Sequence, residues 1–269
     1  MTRKVSRRAA LATGAAAGMS LGMGVRVSEA EVLPDVWGED FMMQWSAPQN
    51  VKRDLTPGKT PVRLSCQQFR LRPPAEAGFG EQIAAMRAAG YTACEGGSRE
   101  WVDADISDSQ IRELKAALKQ HDVLFYGLHT WVNIIHPDMA EREKYQRHVI
   151  DAVEKADRLG MEFILTHTGG NASGRNKDVP HPDNWTKETW MRSVAATKRI
   201  LRDTAGSSIA LGFEVVNSCN NNTPKSHLRL KQDVGDEGVK VVLDPVNMLH
   251  TGVFYRTTEL INECFDLIG

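Results

Sequence analysis

Short apolar runs alternate along the chain with longer segments whose apolar residues recur at helical spacing. The apolar runs predict buried strands at 62–69, 91–94, 123–128, 161–166, 209–214 and 239–244. The longer segments predict helices at 76–89, from 107 onward, and at 138–159, 187–203, 226–234 and 257–268. Strict alternation of this kind predicts a parallel sheet covered by helices.

Residues at the segment ends support these helices. Ser107 and Asp138 stand where an N-cap is expected, and their side-chain oxygens can accept from the first free backbone N–H groups. Gly90 and Gly160 stand where a helix is expected to stop, because glycine readily adopts the left-handed conformation.

The strand ends favour a (β/α)8 barrel over an open doubly wound sheet. No G-x-G-x-x-G pattern follows the first strand, which weakens the dinucleotide-binding version of the open sheet. Polar residues end several different strands, as is typical of barrel active sites: Glu95, His129, His167, Glu214 and Asp244. A barrel needs eight units and the chain holds six, so we expect a C-terminally truncated barrel.

Two segments precede the predicted barrel, which spans residues 62–269. Residues 1–30 combine a basic start, an apolar stretch and a small-residue exit. The pair Arg7 and Arg8 resembles a twin-arginine export signal, which predicts a periplasmic protein. The alternative is a short membrane anchor, but the stretch is too short and too rich in Ala and Gly to span well. Residues 31–61 are expected to form an N-terminal arm.

Composition narrows the choice of partners. The net charge is −1, so no basic field suggests a nucleic acid or a membrane surface. Hydrophobic residues make up 41%, an ordinary value for one globular domain. The four cysteines form no C-x-x-C pair, which argues against a zinc knuckle or a redox motif. These values set no oligomeric state, and a homo-oligomer stays open.

Glu214 and Asp244 close two successive predicted strands. Carboxyl ends of parallel strands meet at one edge, and a carboxylate at the rim of a core needs a metal or a positive partner. The pair therefore predicts half of a divalent-metal site. The alternative is that each acid only caps a helix or pairs with an arginine. Glu95, before two glycines, is either an acid near this site or part of a turn.

Four short sequences carry a resemblance to a known family. They are GLHTWVN at 127–133, LTHTGG at 165–170, GFEVVN at 212–217 and LDPVN at 243–247. Together they resemble the xylose isomerase-like TIM-barrel superfamily, and most closely its sugar phosphate isomerase/epimerase members. The AP endonuclease family 2 domain has the same fold. The resemblance covers residues 62–269 and implies a (β/α)8 TIM barrel.

The resemblance also implies a ligand set. Members bind one divalent ion, often Mn²⁺, Mg²⁺ or Co²⁺, through a Glu, an Asp, a His and a second Glu at successive strand ends. Glu214 and Asp244 match the first two, and the others are expected beyond Gly269. Residues matching His129 and His167 line the substrate pocket in the sugar branch and bind zinc in the nuclease branch.

The implied reaction is aldose–ketose isomerisation or epimerisation of a sugar or sugar phosphate. A proton next to a carbonyl is removed, with Glu214 as the candidate base, and the metal stabilises the enediolate. Asn217 and Asn247 stand near the two acids and are expected to orient ligand or metal. The remaining histidines, at 136, 148, 181, 227 and 250, are expected in loops or on solvated helix faces.

Two other functions stay open. The first is a zinc-dependent AP endonuclease-like nuclease. Much of the family has Asp-x-x-His at the Asp, and here Asn247 stands in the place of that histidine, which counts against a three-zinc site. The second is an inactive fragment or a barrel that only binds sugar.

Overall fold

The computed structural model describes residues 63–65, 70–74, 78–172, 179–244, 246–248, 258–259 and 262. Five strands within these residues form one parallel sheet in the order in which they occur along the chain. They are β1 Ala93–Gly97, β2 Leu124–His129, β3 Phe163–Thr166, β4 Ala210–Glu214 and β5 Val239–Val242. The parallel order confirms the predicted α/β class.

Helices precede and separate the strands. They are α1 Phe79–Ala88, α2 Ser98–Val102, α3 Asp108–His121, α4 Met139–Leu159, α5 Lys187–Asp203 and α6 Pro224–Val234, with a 3-10 helix at Pro182–Trp185. The short α2 and the 3-10 helix were not predicted, because neither is long enough to show a helical period. In the described part of the chain no helix is both long and apolar enough to cross a membrane.

The predicted caps at Ser107 and Asp138 and the predicted stop at Gly160 are confirmed, whereas the helix predicted from Ser226 begins at Pro224. Ser107 Oγ accepts from the backbone N–H of Gln110, whose side chain reaches back to the Ser107 N–H, so α3 begins with a capping box. Asp138 Oδ1 accepts from the N–H of Glu141 at 2.9 Å and caps α4. Gly160 ends α4 with φ of 78°, in the left-handed region that favours glycine.

Strand β1 differs from its predicted bounds. It begins at Ala93 and continues through Gly97, so Glu95 lies inside the sheet, where it pairs with Gly127 of β2. A Cβ on Gly96 would lie 2.5 Å from the indole Nε1 of Trp101. This strand position therefore requires glycine, because a side chain would collide with the Trp101 ring.

One apolar core lies between the sheet and the helices. Trp101 is fully buried, stacks on Phe79 with ring centroids 5.9 Å apart and contacts Phe125 at 5.2 Å. Its indole N–H donates to the carbonyl of Leu71 at 2.9 Å, so the one polar atom of this large side chain is satisfied. This packing fixes the sheet that carries the site.

Several predicted segments lie wholly or largely outside the described residues. These are the signal at 1–30, the arm at 31–61, most of the first strand at 62–69 and most of the last helix at 257–268. Leu64 is described, and its carbonyl accepts from the N–H groups of Thr92 and Ala93 at 2.9 Å each. Leu64 therefore lies beside the start of β1.

Candidate functional site

Three side chains converge at the carboxyl edge of the sheet. His129 is the last residue of β2, His167 follows β3 directly, and Glu214 is the last residue of β4. His167 Nε2 lies 2.9 Å from Glu214 Oε2, and His129 Nε2 lies 3.7 Å from the same oxygen. One ligand atom from each side chain can be chosen so that all three lie within 4.8 Å of one another.

The turn after β3 sets the position of His167. Gly169 has φ of 92°, and a Cβ there would overlap Asn133 Oδ1. The side-chain amide of Asn133 makes two hydrogen bonds to the backbone of Gly170. Its Nδ2 donates to Gly170 O at 2.7 Å, and its Oδ1 accepts from Gly170 N at 3.2 Å. The turn therefore needs glycine and is held by one asparagine.

The His129 ring is buried without a hydrogen bond. Neither ring nitrogen has a hydrogen-bond partner among the described residues. Burial lowers the pKa of His129, and the nearby carboxylates of Glu95 and Glu214 oppose this only in part. The imidazole is therefore neutral at neutral pH and offers the lone pair that a metal requires.

The group fits a divalent ion. Ligand atoms at about 2.0–2.1 Å from a tetrahedral ion lie roughly 3.3 Å apart, and the two measured separations from Glu214 Oε2, 2.9 and 3.7 Å, bracket that value. Two imidazole nitrogens with one carboxylate oxygen form a donor set known from catalytic zinc sites. The Nε2 of His129, which has no hydrogen-bond partner among the described residues, gains one when an ion binds.

Each carboxylate oxygen of Glu214 has a different neighbour. Oε2 contacts His167, whereas Oε1 accepts from Asn247 Nδ2 at 2.7 Å. Burial alone raises the pKa of Glu214, but the interactions with His167, His129 and Asn247 outweigh it and leave that pKa below its usual range. The carboxylate is therefore ionised at neutral pH.

Asp244 lies two residues beyond the end of β5, in a turn. Its Oδ1 accepts from the N–H groups of Val246 and Asn247 at 2.9 and 3.1 Å. Asp244 is not part of the described His–His–Glu group. The backbone N–H of Asn217 donates to Asn247 O at 2.9 Å, so Asn247 connects the loops after β4 and β5. The predicted roles of Asp244, Asn217 and Asn247 as ligand-binding groups stay predictions.

Glu95 forms part of the wall beside His129, and this favours an acid near the site over a turn. It is 3% exposed; its Oε1 accepts from Arg70 Nε and its Oε2 from the Tyr126 hydroxyl, both at 3.0 Å. Burial raises its pKa, but His129, Tyr126 and Arg70 together outweigh burial and lower it. The Nδ1 of His129 lies 3.8 Å from the same Oε1.

The expectation that His227 lies on a solvated face is wrong. It is fully buried on α6, and burial lowers its pKa to about 3. Its Nε2 contacts Asn221 Nδ2 at 3.1 Å, and Asn221 Oδ1 accepts from Thr168 Oγ1 at 2.6 Å. His227 shares an apolar face with Leu230 and Val234 at helical spacing, and that spacing was the signal available in the sequence.

Comparisons with known proteins place the chain in one fold family. Residues 83–265 match the family described as "Xylose isomerase-like TIM barrel". A probable endonuclease 4 from Campylobacter concisus is 25% identical over 122 residues, which cover 43% of each chain. The D-psicose 3-epimerase of Clostridium cellulolyticum superposes with a TM-score of 0.56 at 20% identity. Endonuclease IV of Thermus thermophilus superposes with a TM-score of 0.58 at 18% identity.

The coverage of these relatives is partial. The epimerase match covers 72% of this chain and 66% of that protein, and the endonuclease IV match covers 77% and 72%. The chain thus spans about two thirds of the solved relatives and less than half of the curated one. At these identities the superpositions establish the fold, a parallel barrel of the TIM type.

Proposed function

The chain belongs to the xylose isomerase-like TIM barrel family, and on that premise we propose a divalent-metal-dependent sugar or sugar-phosphate isomerase or epimerase. The observation that supports it most is the convergence of His129, His167 and Glu214 at the carboxyl edge of the sheet. Barrel enzymes carry their active sites at this edge. Family members include sugar epimerases and endonucleases, so the choice between them rests on the site.

The donor set shifts the expected metal. Imidazole nitrogen suits Zn²⁺ or Co²⁺ better than Mn²⁺ or Mg²⁺, which prefer oxygen ligands. We propose that His129, His167 and Glu214 hold the ion. Asp244 is a further candidate, because Asn247 donates to both Asp244 and Glu214. A bound divalent ion would polarise the substrate carbonyl and stabilise negative charge on its oxygen.

The chain's own residues would divide the remaining work. Glu214 is ionised and accepts the proton from the carbon next to the carbonyl. Asn247 Nδ2 holds Oε1 of that carboxylate, so Oε2 keeps its direction toward the two histidines. Return of the proton to the neighbouring carbon, with the hydroxyl proton passing between the two oxygens, gives isomerisation. Return of a proton to the opposite face of the same carbon gives epimerisation. A second acid on that opposite face is required only for the latter.

Enolisation itself provides the test. We expect the metal-loaded protein to exchange the proton next to the carbonyl of a ketose with deuterium from the solvent, measured by NMR across a panel of ketoses and their phosphates. Glu214→Gln should abolish the exchange. If the metal-loaded protein exchanges this proton in none of the sugars, the proposal is contradicted.

A nuclease is the second candidate, because the curated relative is a probable endonuclease 4. Against it, Asn247 stands where the nuclease branch has a histidine, and its amide is hydrogen-bonded to Glu214. The net charge of −1 also offers little attraction to DNA. Strong zinc-dependent nicking of abasic DNA would reverse the order of the two candidates.

We also propose that the protein is exported through the twin-arginine route, on the basis of Arg7 and Arg8 within the basic start of the chain. Export after folding would keep a buried thiol such as that of Cys94 out of an oxidising compartment until folding is complete. Replacement of both arginines by lysine should leave the protein in the cytoplasm, as fractionation would detect. Unchanged export would contradict this route.

A further inference from the structure

Arg70 is tied to the site through two separate contacts. Its Nε donates to Glu95 Oε1 at 3.0 Å, the same oxygen that lies 3.8 Å from His129 Nδ1. Its guanidinium carbon lies 4.1 Å from the centre of the Trp131 ring, and that ring lies 3.7 Å from the ring of His129, centroid to centroid. The cation is therefore held next to a proposed metal ligand on two sides.

These contacts leave the terminal nitrogens of Arg70 unused. A guanidinium has five N–H donors, and the Nε–H is the one that Glu95 receives. In the described part of the chain, Nη1 and Nη2 have no hydrogen-bond partner. The second oxygen of Glu95 is taken by the Tyr126 hydroxyl, so the acid is satisfied without them. The contact with Glu95 therefore uses one of the five N–H donors of Arg70.

The cation is also accessible and preorganised. The Arg70 side chain is 24% exposed, and Trp131 is 40% exposed. Stacking on an indole and a hydrogen bond through Nε restrict the rotamers of a long side chain, so little entropy is lost when a ligand binds. Among the described residues, no other Lys or Arg contacts Glu95, His129, Trp131 or Glu214.

We propose that Arg70 binds an anionic group of the substrate, a phosphate or a carboxylate, through its terminal nitrogens. A planar fork of N–H donors matches the paired oxygens of both groups. This inference rests on the proposed function and narrows its substrate class to sugars that carry a negative charge. A neutral ketose would leave the fork of Arg70 to water.

The test is the affinity of the metal-loaded full chain for inorganic phosphate, measured by isothermal titration. Arg70→Lys keeps a cation for Glu95 but removes the fork, and it should weaken phosphate binding at least about tenfold. Arg72→Lys is the matched control, because Arg72 is exposed and its hydrogen bonds to Gln82 run through the backbone. That change should alter binding less than about twofold.

Metal affinity is measured on the same three proteins, because phosphate can also bind a metal ion directly. We expect Arg70→Lys to bind the metal as the unsubstituted chain does. Phosphate binding that is absent, or equal in Arg70→Lys, overturns the inference while the metal site stands. Failure of all three proteins to bind metal would instead count against the proposed function, whatever happens to phosphate.

Competition then separates the two sources of the anion. Sugar phosphates, sugar carboxylates and neutral sugars of the same carbon skeleton are compared as competitors of phosphate. Stronger competition by phosphates or by carboxylates identifies the group and supports the inference. Equal competition by the neutral sugars overturns it.

Discussion

The outer helical layer and the carboxyl edge of the same sheet are stabilised by different interactions. The helices bury apolar stripes and end in local caps, as α4 does between Asp138 and Gly160. The edge buries polar groups that only tertiary contacts satisfy, such as Asn133 against Gly170 and Asn221 against Thr168. Buried polar groups cost free energy unless they are hydrogen-bonded. At this edge the ring of His129 has no hydrogen-bond partner among the described residues, and a bound ion would offset that cost.

The largest expected effect comes from a Glu→Gln substitution at the carboxyl edge of the sheet, compared with the same substitution at the opposite edge. Glu214→Gln removes the proposed carboxylate ligand and should lower metal affinity at least about a hundredfold, measured by isothermal titration. Glu162→Gln makes the same change at an exposed position just before β3, at the opposite edge. It should leave metal affinity and the free energy of unfolding unchanged. Similar losses in both variants would remove the distinction between the edges.

The next effect separates backbone strain from packing at the site. Gly169→Ala forces a side chain into φ of 92° and against Asn133, whereas Gly90→Ala meets φ of 89° with nothing within 4 Å of the added Cβ. We expect Gly90→Ala to cost about 1–2 kcal/mol and Gly169→Ala about 2–4 kcal/mol. Urea unfolding measures both. Equal costs would show that Asn133 moves aside freely.

Acid should weaken the edge through His227. Its folded pKa of about 3 lies below the ordinary value, so the unfolded chain binds the extra proton between these two values. The contribution of His227 to the free energy of unfolding is fully present above about pH 6.5. Below that pH it falls by up to about 1.4 kcal/mol per pH unit. The free energy of unfolding is measured at about pH 7 and at about one pH unit below 6.5. The two values should differ less in His227→Gln than in the unsubstituted protein. An unchanged pH dependence in that variant would contradict the burial argument.

The smallest effect concerns the helical layer alone. Ser107→Ala removes the side-chain cap of α3 and should cost about 1 kcal/mol in the free energy of unfolding. Metal affinity should stay the same, because the cap lies in the outer layer. A loss of metal binding at unchanged fold would show that the two regions are coupled.

Local sequence signals were sufficient for the long helices of the outer layer. The helix predicted at 187–203 is observed as Lys187–Asp203, and the caps at Ser107 and Asp138 are present. A cap depends on residues three apart, so it can be read without knowledge of the fold. Strand order followed from alternation, because parallel strands need helical crossovers.

The site could be read only in part. The strand ends at His129, His167 and Glu214 were identified, but their grouping as one set of ligands depends on the register between strands, which single positions do not encode. Asp244 was placed at a strand end, whereas β5 stops at Val242 and the acid forms a turn. Arg70 gave no signal at all, since its contacts come from residues 25 and more positions away.

The central claim is that one divalent ion binds to His129, His167 and Glu214 together. Anomalous diffraction from crystals grown with Co²⁺ or Zn²⁺ tests it most directly. We predict one peak in contact with Nε2 of both histidines and Oε2 of Glu214. A peak held by Glu214 and Asp244 with both histidines uncoordinated, or no bound ion in this region, would contradict the account.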